Sequence, residues 1–187
     1  GIGSGKTTAS LYFKKRDAFI FDSDTEAKKL LFKKEATSLI IKKFGSQVTI
    51  DGSIDIKLLS DVIFKKPEFQ NSLNQIIWPK VLEQINIYAA KAEKSGTKLF
   101  IVDAALLLEA NFQNFFDSTL LITANKNIRY KRILERNNIP ENQIEKRMKL
   151  QMDELIKMKM VDYTIKNNYS LSELNNELKI FYESLKL

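Results

Sequence analysis

The chain has 187 residues, 44% of them hydrophobic, which suits one domain of ordinary size with a packed core. It contains no cysteine and no histidine, which excludes disulfides, thiolate chemistry, a histidine base and the usual zinc sites, so any general base is Asp, Glu, Lys or Tyr. The net charge of +7 fits a nucleic-acid partner, a basic cleft for polyanionic small molecules or solvated helix faces. No membrane-spanning segment or signal peptide is visible, so we expect a cytoplasmic protein without a membrane partner.

The chain begins with the pattern of a phosphate-binding loop, formed by Gly1, Ile2, Gly3, Ser4, Gly5, Lys6, Thr7 and Thr8. The first glycine of the full pattern would lie just before Gly1. Glycines let such a loop turn its N–H groups toward phosphate, and the helix that follows adds its positive N-terminal end. In this pattern Lys6 reaches the β- and γ-phosphates, and the Thr7 hydroxyl binds Mg²⁺. A phosphate loop normally leaves the end of a central strand, so we expect one further strand upstream of Gly1.

The hydrophobic pattern predicts a series of short strands and longer helices. Helices are predicted at about 5–15, 25–43, 56–64, 68–93, 127–137 and 141–159 and from 170 onward, and strands at 18–21, 99–102, 119–123 and 163–165. Pro79 should kink or divide its helix, whereas Pro140 suits an early helical position. Short apolar strands that alternate with helices predict an α/β fold, a three-layer sandwich with a mostly parallel central sheet.

Turn and capping signals mark several of these boundaries. Residues 51–53 predict a turn, and Asp55 can cap the helix after it. Ser170 starts the last amphipathic helix, with Ser172 and Glu173 near its cap.

Carboxylates follow two of the predicted strands, at the edge where parallel sheets bind ligands. After the strand at 18–21, one of Asp22 and Asp24 could accept a proton from a substrate hydroxyl while the other holds that hydroxyl or a metal-bound water. Either residue could instead cap the next helix. Asp103 ends the strand at 99–102 in the manner of an acid that holds Mg²⁺, although Asp is also common in turns.

Three arginines share one face of the helix predicted at 127–137. Arg129, Arg132 and Arg136 are spaced three and four residues apart, and Arg147 lies on the next helix. Arginines on a mobile helical pair can neutralise the charge of a transferring phosphoryl group, and Arg132 is the leading candidate. Surface ion pairs with acidic neighbours are the other explanation.

The ordered series of motifs resembles the dephospho-CoA kinase family over essentially the whole chain. The similar segments are the loop at 1–8, 21–24, 44–45 with 51–55 and 62–64, 106–110, Arg132 with Arg136, Arg147 with Gln151, and 161–168. Two positions depart from the family pattern: Trp78 stands for its histidine before Pro79, and Ala105 stands for its proline before two leucines. The loop alone is shared by many kinases, whereas the ordered series is much more specific.

This resemblance implies transfer of the γ-phosphate of ATP to the ribose 3′-hydroxyl of dephospho-CoA, with Mg²⁺ as cofactor. It implies Asp24 as the base, Lys6 and the rest of the loop as the ATP site with Arg136 and Arg147, and Arg132 as the leading lid arginine. We expect a single domain at 1–187, with a helical acceptor-binding lobe at about 29–95 and a lid at about 129–152.

Two other functions remain open from the residues alone. One is a different phosphate-loop kinase that acts on a nucleotide or a small alcohol. The other is a nucleic-acid-binding or regulatory NTP-binding protein, for which residues 12–16 are the only compact basic and aromatic cluster. We expect small-molecule substrates and no nucleic acid, and the sequence carries no sign of the oligomeric state.

Overall fold

A computed structural model describes residues 1–135, 144, 148 and 151–187. The chain divides into two compact units, the first formed by Gly1–Ile20 with Gly96–Leu187 and the second by Phe21–Ser95. The predicted acceptor-binding lobe at about 29–95 falls inside the second unit, and its role stays a prediction. Part of the predicted lid lies outside the described residues.

The described helices and strands follow the predicted series in chain order, with an additional pair of two-residue strands at 49–50 and 53–54 that the hydrophobic pattern does not predict. In chain order they are α1 (Lys6–Lys14), β1 (Phe19–Asp22), α2 (Ser23–Leu31), α3 (Lys34–Phe44), β2 (Thr49–Ile50), β3 (Ser53–Ile54), α4 (Ile56–Ile63), α5 (Pro67–Lys94), β4 (Phe100–Asp103), β5 (Leu120–Thr123), α6 (Lys126–Glu135), α7 (Glu154–Lys159), β6 (Tyr163–Lys166) and α8 (Leu171–Ser184). Short 3₁₀ turns lie at Ser46–Val48 and Gln113–Phe115.

The four longer strands form two separate two-stranded ladders. β5 and β6 are parallel over four residue pairs, from Leu120 opposite Tyr163 to Thr123 opposite Lys166. Asp162 fixes the start of this ladder, because its carboxylate accepts hydrogen bonds from both the N–H and the hydroxyl of Thr119, each 2.7 Å long. β1 and β4 form another ladder, which begins with the N–H of Phe19 donating to the carbonyl of Leu99 at 2.9 Å.

An apolar core joins α1 and α8 to these strands. Phe13 of α1 and Leu178 of α8 are buried together with Ile122 of β5 and Ile165 of β6. The ring of Phe13 also meets Phe181 edge-on, with centroids 6.0 Å apart. The helix that follows the phosphate loop is therefore anchored by packing along its inner face.

The second unit is a cluster of helices with one small hairpin. Ile40 of α3 and Val48 are completely buried, and Leu59 of α4 is almost so. The hairpin pairs Thr49 with Ile54 and Ile50 with Ser53 in antiparallel register. Asp51 and Gly52 both have positive φ, +49° and +76°, as the tightest hairpin turns require, so the turn predicted at 51–53 is confirmed.

Three boundaries differ from the prediction. The helix predicted at 25–43 is two helices, because Lys33 is extended and the Thr37 hydroxyl donates to the carbonyl of Leu31 at the end of α2. Pro79 does not divide α5, since proline removes only one backbone donor and the buried Trp78 and Val81 anchor the helix around it. Of the helix predicted at 141–159, the described residues 151–153 are not helical, and α7 begins where the Asp153 carboxylate caps it.

Among the described residues, no helix is both long and apolar enough to cross a membrane.

Candidate phosphate-binding site

The phosphate loop depends on two glycines for its shape. Gly3 and Gly5 have φ values of +78° and +103°, which side chains rarely tolerate. Neighbouring atoms also leave no room for a side chain: a Cβ on Gly3 would lie 2.7 Å from the Arg129 carbonyl oxygen, and one on Gly5 would lie 2.3 Å from Nδ2 of Asn167. Both positions therefore require glycine for conformation and for close approach.

Lys6 and Asp103 come together beside the loop, although 97 positions separate them in the sequence. The Lys6 ammonium forms an ion pair with Oδ1 of Asp103, and the Ser10 hydroxyl donates to Oδ2 at 2.6 Å. The Asp103 side chain is 13% exposed and that of Lys6 37%. The end of β4 thus supplies a fixed negative charge next to the cation of the loop, and the predicted metal role of Asp103 stays a prediction.

Asn167 connects the loop to the leading arginine candidate. This buried residue donates from Nδ2 to the Ser4 carbonyl at 2.8 Å. Arg132 of α6 donates to the backbone carbonyl of Asn167 at 2.9 Å and to its Oδ1 at 3.4 Å. The turn after β6 therefore contacts both the loop and Arg132.

Arg129 differs in its setting from Arg132. It is buried and donates to Oε1 of Glu154 at 2.9 Å, while the Thr123 hydroxyl donates to the other oxygen of the same carboxylate. Burial raises the pKa of Glu154, but the hydrogen bond from Thr123 and the positive charges of the Gly1 amino group, Arg129 and Lys157 together outweigh it, so the pKa lies below its ordinary value. Glu154 therefore stays charged and holds Arg129 in a pair that lies inside the unit.

The segment before α7 also contacts the loop. The N–H of Ile2 donates to Oε1 of Gln151 at 3.0 Å. The next residue, Met152, donates its N–H to Glu109 at 3.0 Å, and Glu109 pairs with the buried Lys157 at 2.7 Å. A buried ion pair thus fixes the backbone that brings Gln151 to the loop.

The two acids that follow β1 have different environments. Asp22 caps α2, because its carboxylate accepts from the N–H and the hydroxyl of Thr25 at 2.9 and 2.7 Å. Asp24 lies half-buried in the first turn of α2, where the helix dipole favours a negative charge. The capping alternative therefore applies to Asp22, and the role of Asp24 as the base stays a prediction.

Comparison with known proteins matches this architecture to one family. The family model described as Dephospho-CoA kinase matches residues 1–173. The chain belongs to the dephospho-CoA kinase family. A dephospho-CoA kinase of Fusobacterium nucleatum is 34% identical over 186 residues, covering 99% of this chain and 95% of that protein. One of Dehalococcoides mccartyi is 32% identical over 177 residues, covering 94% and 89%.

Solved structures agree on the fold of this kinase family member. A crystal structure of a Thermus thermophilus protein has a TM-score of 0.81 at 24% identity, covering 99% of this chain and 94% of that one. A dephospho-CoA kinase from Campylobacter jejuni has a TM-score of 0.67 at 22% identity, covering 99% and 93%. The predicted α/β phosphate-loop fold is confirmed.

The candidate residues of this family member divide into those that the structure describes and those that it does not. Lys6, Asp103 and Arg132 lie in the first unit around the loop, and Asp24 lies in the second unit. Arg136 and Arg147 lie outside the described residues, so their predicted roles stay predictions. Thr7, the other predicted metal ligand, is exposed in the first turn of α1.

Sequence reasoning missed two residues that support this site. Ser10, which binds Asp103, lies one helical turn after Lys6, so the i, i+4 spacing was an available signal. Glu154, which binds Arg129 across 25 positions, had no such signal, because its partner is set by the path of the chain.

Proposed function

We propose that this chain transfers the γ-phosphoryl group of ATP to the 3′-hydroxyl of dephospho-CoA, giving CoA and ADP in the last step of coenzyme A biosynthesis. The observation that carries the proposal is the glycine loop with Lys6 held against Asp103, in a chain that matches the family across residues 1–173. Such a transfer needs positioning and charge stabilisation more than covalent chemistry by the protein, which suits a chain without histidine or cysteine.

The loop binds the phosphates of ATP. Backbone N–H groups of residues 5–8, at the end of the loop and in the first turn of α1, bind the phosphate oxygens, and the N-terminal end of α1 adds positive potential. The Lys6 ammonium neutralises charge on the β- and γ-phosphates, so it exchanges part of its contact with Asp103 for phosphate oxygen when ATP binds.

Asp24 acts as the general base. As the 3′-hydroxyl oxygen attacks the γ-phosphorus, the hydroxyl proton passes to the Asp24 carboxylate, and the bond between that phosphorus and the bridging oxygen of ADP breaks. The support for this role is the family resemblance at 21–24 together with the position of Asp24, half-buried in the first turn of α2 directly after β1.

Arg132 supplies positive charge near the loop. It contacts Asn167, which itself binds the loop, so its guanidinium needs only a local change to reach a phosphoryl group. Arg136 and Arg147 are proposed to assist from the lid on the basis of resemblance.

Mg²⁺ is the proposed cofactor, held by Thr7 and Asp103. Their hydroxyl and carboxylate oxygens are the ligand type that Mg²⁺ prefers, and the Asp103 carboxylate lies beside the phosphate-binding lysine. Among the described residues there is no group of three acids that could form an all-protein cage. That donor set fits an ion held partly by substrate phosphates, and the bound ion would neutralise charge on the β- and γ-phosphates.

The proposal places the protein in the cytoplasm with small molecules as its substrates. The main alternative function is that of a phosphate-loop kinase that acts on a nucleotide or a small alcohol. The two functions differ in the molecule that accepts the phosphoryl group.

The deciding assay incubates the protein with ATP, Mg²⁺ and dephospho-CoA and measures CoA and ADP by chromatography. We expect CoA and ADP in equal amounts, and loss of turnover by about 100-fold or more in Lys6→Ala, which also weakens ATP binding. Parallel reactions contain nucleosides, nucleotides or small alcohols in place of dephospho-CoA. Turnover with one of these and none with dephospho-CoA would overturn the proposal, and full activity in Lys6→Ala would contradict the loop assignment.

A further inference from the structure

Asn167 lies at a junction between the phosphate loop and α6. It follows β6 directly and is 7% exposed. Its own N–H donates to the Thr123 carbonyl at 2.7 Å, which extends the ladder of β5 and β6 by one bond. This hydrogen bond therefore fixes the backbone of Asn167 to the sheet, which restricts where its side chain can lie.

Both ends of the Asn167 amide are engaged. Nδ2 donates to the Ser4 carbonyl at 2.8 Å, and Oδ1 accepts from Arg132 at 3.4 Å. Only this orientation of the amide satisfies both contacts, because a flipped amide would place Nδ2 beside the guanidinium donors of Arg132 and Oδ1 beside the carbonyl oxygen of Ser4. Asparagine therefore provides the donor and the acceptor that this position requires.

The bond to Ser4 controls where the next N–H points. In a trans peptide the carbonyl oxygen and the following N–H point in opposite directions. The Ser4 carbonyl is turned toward Asn167, so the Gly5 N–H points away from Asn167. If this peptide flipped, a carbonyl oxygen would face the phosphates in place of a donor.

Glycine at position 5 leaves this peptide unusually free to rotate. Gly5 has φ +103°, and without a Cβ it also populates other regions of backbone space. A Cβ at Gly5 would lie 2.3 Å from Nδ2 of Asn167. The Asn167 amide therefore packs directly against the residue whose backbone can rotate most easily. The amide therefore supplies an external restraint where the sequence provides none.

We propose that Asn167 is a positioning residue that locks the peptide between Ser4 and Gly5 with its N–H toward the phosphates of ATP, and that it shares this amide with Arg132. The inference rests on the proposed phosphate-binding role of the loop. Because a hydrogen bond accepted at Oδ1 polarises the amide, the contact from Arg132 strengthens the bond that Nδ2 donates to Ser4. The loop and the arginine are thus coupled through one side chain.

The sharpest test is Asn167→Asp, which keeps an acceptor for Arg132 but sets an oxygen against the Ser4 carbonyl. We expect calorimetry to show ATP affinity weakened by about tenfold, which is the loss of one hydrogen bond that leaves a buried carbonyl unpaired. The KM for ATP should rise in parallel while the KM for dephospho-CoA changes by less than about twofold. Asn168→Ala is the matched control, because it removes the adjacent asparagine and its bond from the Asn125 N–H, and it should leave ATP affinity unchanged.

A spectroscopic readout separates positioning from general stability. With ¹³C-labelled serine and ¹⁵N-labelled glycine, only the amides of Gly5 and Gly96 follow a serine in this sequence. ADP should shift the Gly5 signal in the wild type and shift it less than half as much in Asn167→Asp, at a temperature where both proteins are folded. The Gly96 signal serves as the internal reference in both proteins.

Two results would overturn the inference. One is wild-type ATP affinity in Asn167→Asp, and the other is a normal Gly5 shift in that variant. Binding and NMR do not use the acceptor, so they test Asn167 even if dephospho-CoA proves to be the wrong acceptor. Failure of the wild type to turn over dephospho-CoA would count against the proposed function alone.

Discussion

The two units bury different kinds of side chain. Of the buried polar and charged residues in the described part of the chain, Ser4, Thr119, Thr123, Arg129, Lys157 and Asn167 belong to the first unit, whereas Ser23 belongs to the second. The second unit is filled by aliphatic and aromatic side chains such as Ile40, Leu59 and Val81. One unit is thus organised by paired polar groups, and the other is organised by apolar packing.

This difference reflects what each unit has to hold. A phosphate site requires dipoles and charges that keep fixed directions, and a buried polar side chain keeps its direction only when its hydrogen bonds are made. Asn167 and Lys157 meet that condition through named partners, and the guanidinium of Arg129 is held by Glu154 through Nη1. The second unit needs a stable shape, for which apolar burial is sufficient.

The largest effect should come from Asp24, the proposed base, which lies in the second unit. Asp24→Asn removes the proposed base but keeps size and polarity, so we expect kcat to fall by about 10²–10⁴-fold. ATP affinity should remain near that of the wild type, because the proposed base acts on the acceptor hydroxyl and not on the phosphates that the loop binds. Steady-state kinetics and calorimetry give the two values.

A neighbouring acid provides the control for Asp24. Asp22→Asn removes an equal charge, yet asparagine is also a good helix cap, so both kcat and stability should change little. Equal losses of kcat in the two variants would mean that negative charge near α2 matters in general, and that Asp24 is not the base.

The next effect concerns the buried ion pair of the first unit. Lys157→Met leaves Glu109 as an uncompensated buried charge, so we expect a loss of about 3–5 kcal/mol in the free energy of unfolding, measured in urea. Adding Glu109→Gln removes that charge and keeps an acceptor for the Met152 N–H, so the double variant should recover much of the loss.

Lys179→Met serves as the matched control for this pair. It breaks the exposed pair with Glu183, whose atoms are 3.8 Å apart, and should change stability little. Equal losses in Lys157→Met and Lys179→Met, or no recovery in the double variant, would contradict the view that paired polar groups organise the first unit.

Local signals in the sequence predicted much of the fold. The loop glycines predicted the start of α1, Asp51 and Gly52 predicted the hairpin turn, and Ser170 predicted the start of α8, where it forms a capping box with Glu173. Each of these features depends on residues a few positions apart. The break after α2 was missed because Phe32 and Lys33 carry no turn signal, and its hydroxyl cap comes from Thr37 in the next helix.

The supporting contacts of the site could not be predicted in the same way. Asn167 and Ser4 are 163 positions apart, and Gln151 and Ile2 are 149 positions apart. Such pairs are set by the path of the strands, so the sequence predicts residue types at the loop but not which distant amide restrains it. Lys6 and Asp103 were each predicted separately, from a recognisable loop and a strand end, and the structure brings them together.

The smallest expected changes in the free energy of unfolding come from exchanging one buried hydroxyl group for a methyl group in each unit. They test directly whether buried polar groups stabilise the first unit and destabilise the second. Thr123→Val exchanges a hydroxyl for a methyl in the first unit and removes the bond to Glu154, so it should lower the free energy of unfolding by about 1–2 kcal/mol. In the second unit, Ile40→Thr places a hydroxyl where Ile40→Val places a methyl, at a completely buried position. Ile40→Thr should therefore be less stable than Ile40→Val by about 1–3 kcal/mol.

The same exchange then has opposite signs in the two units, because a hydroxyl stabilises where a fixed partner accepts its hydrogen bond and destabilises where the surroundings are apolar. If valine proved the better residue at both positions, the buried polar groups of the first unit would be tolerated for function and would contribute nothing to its stability.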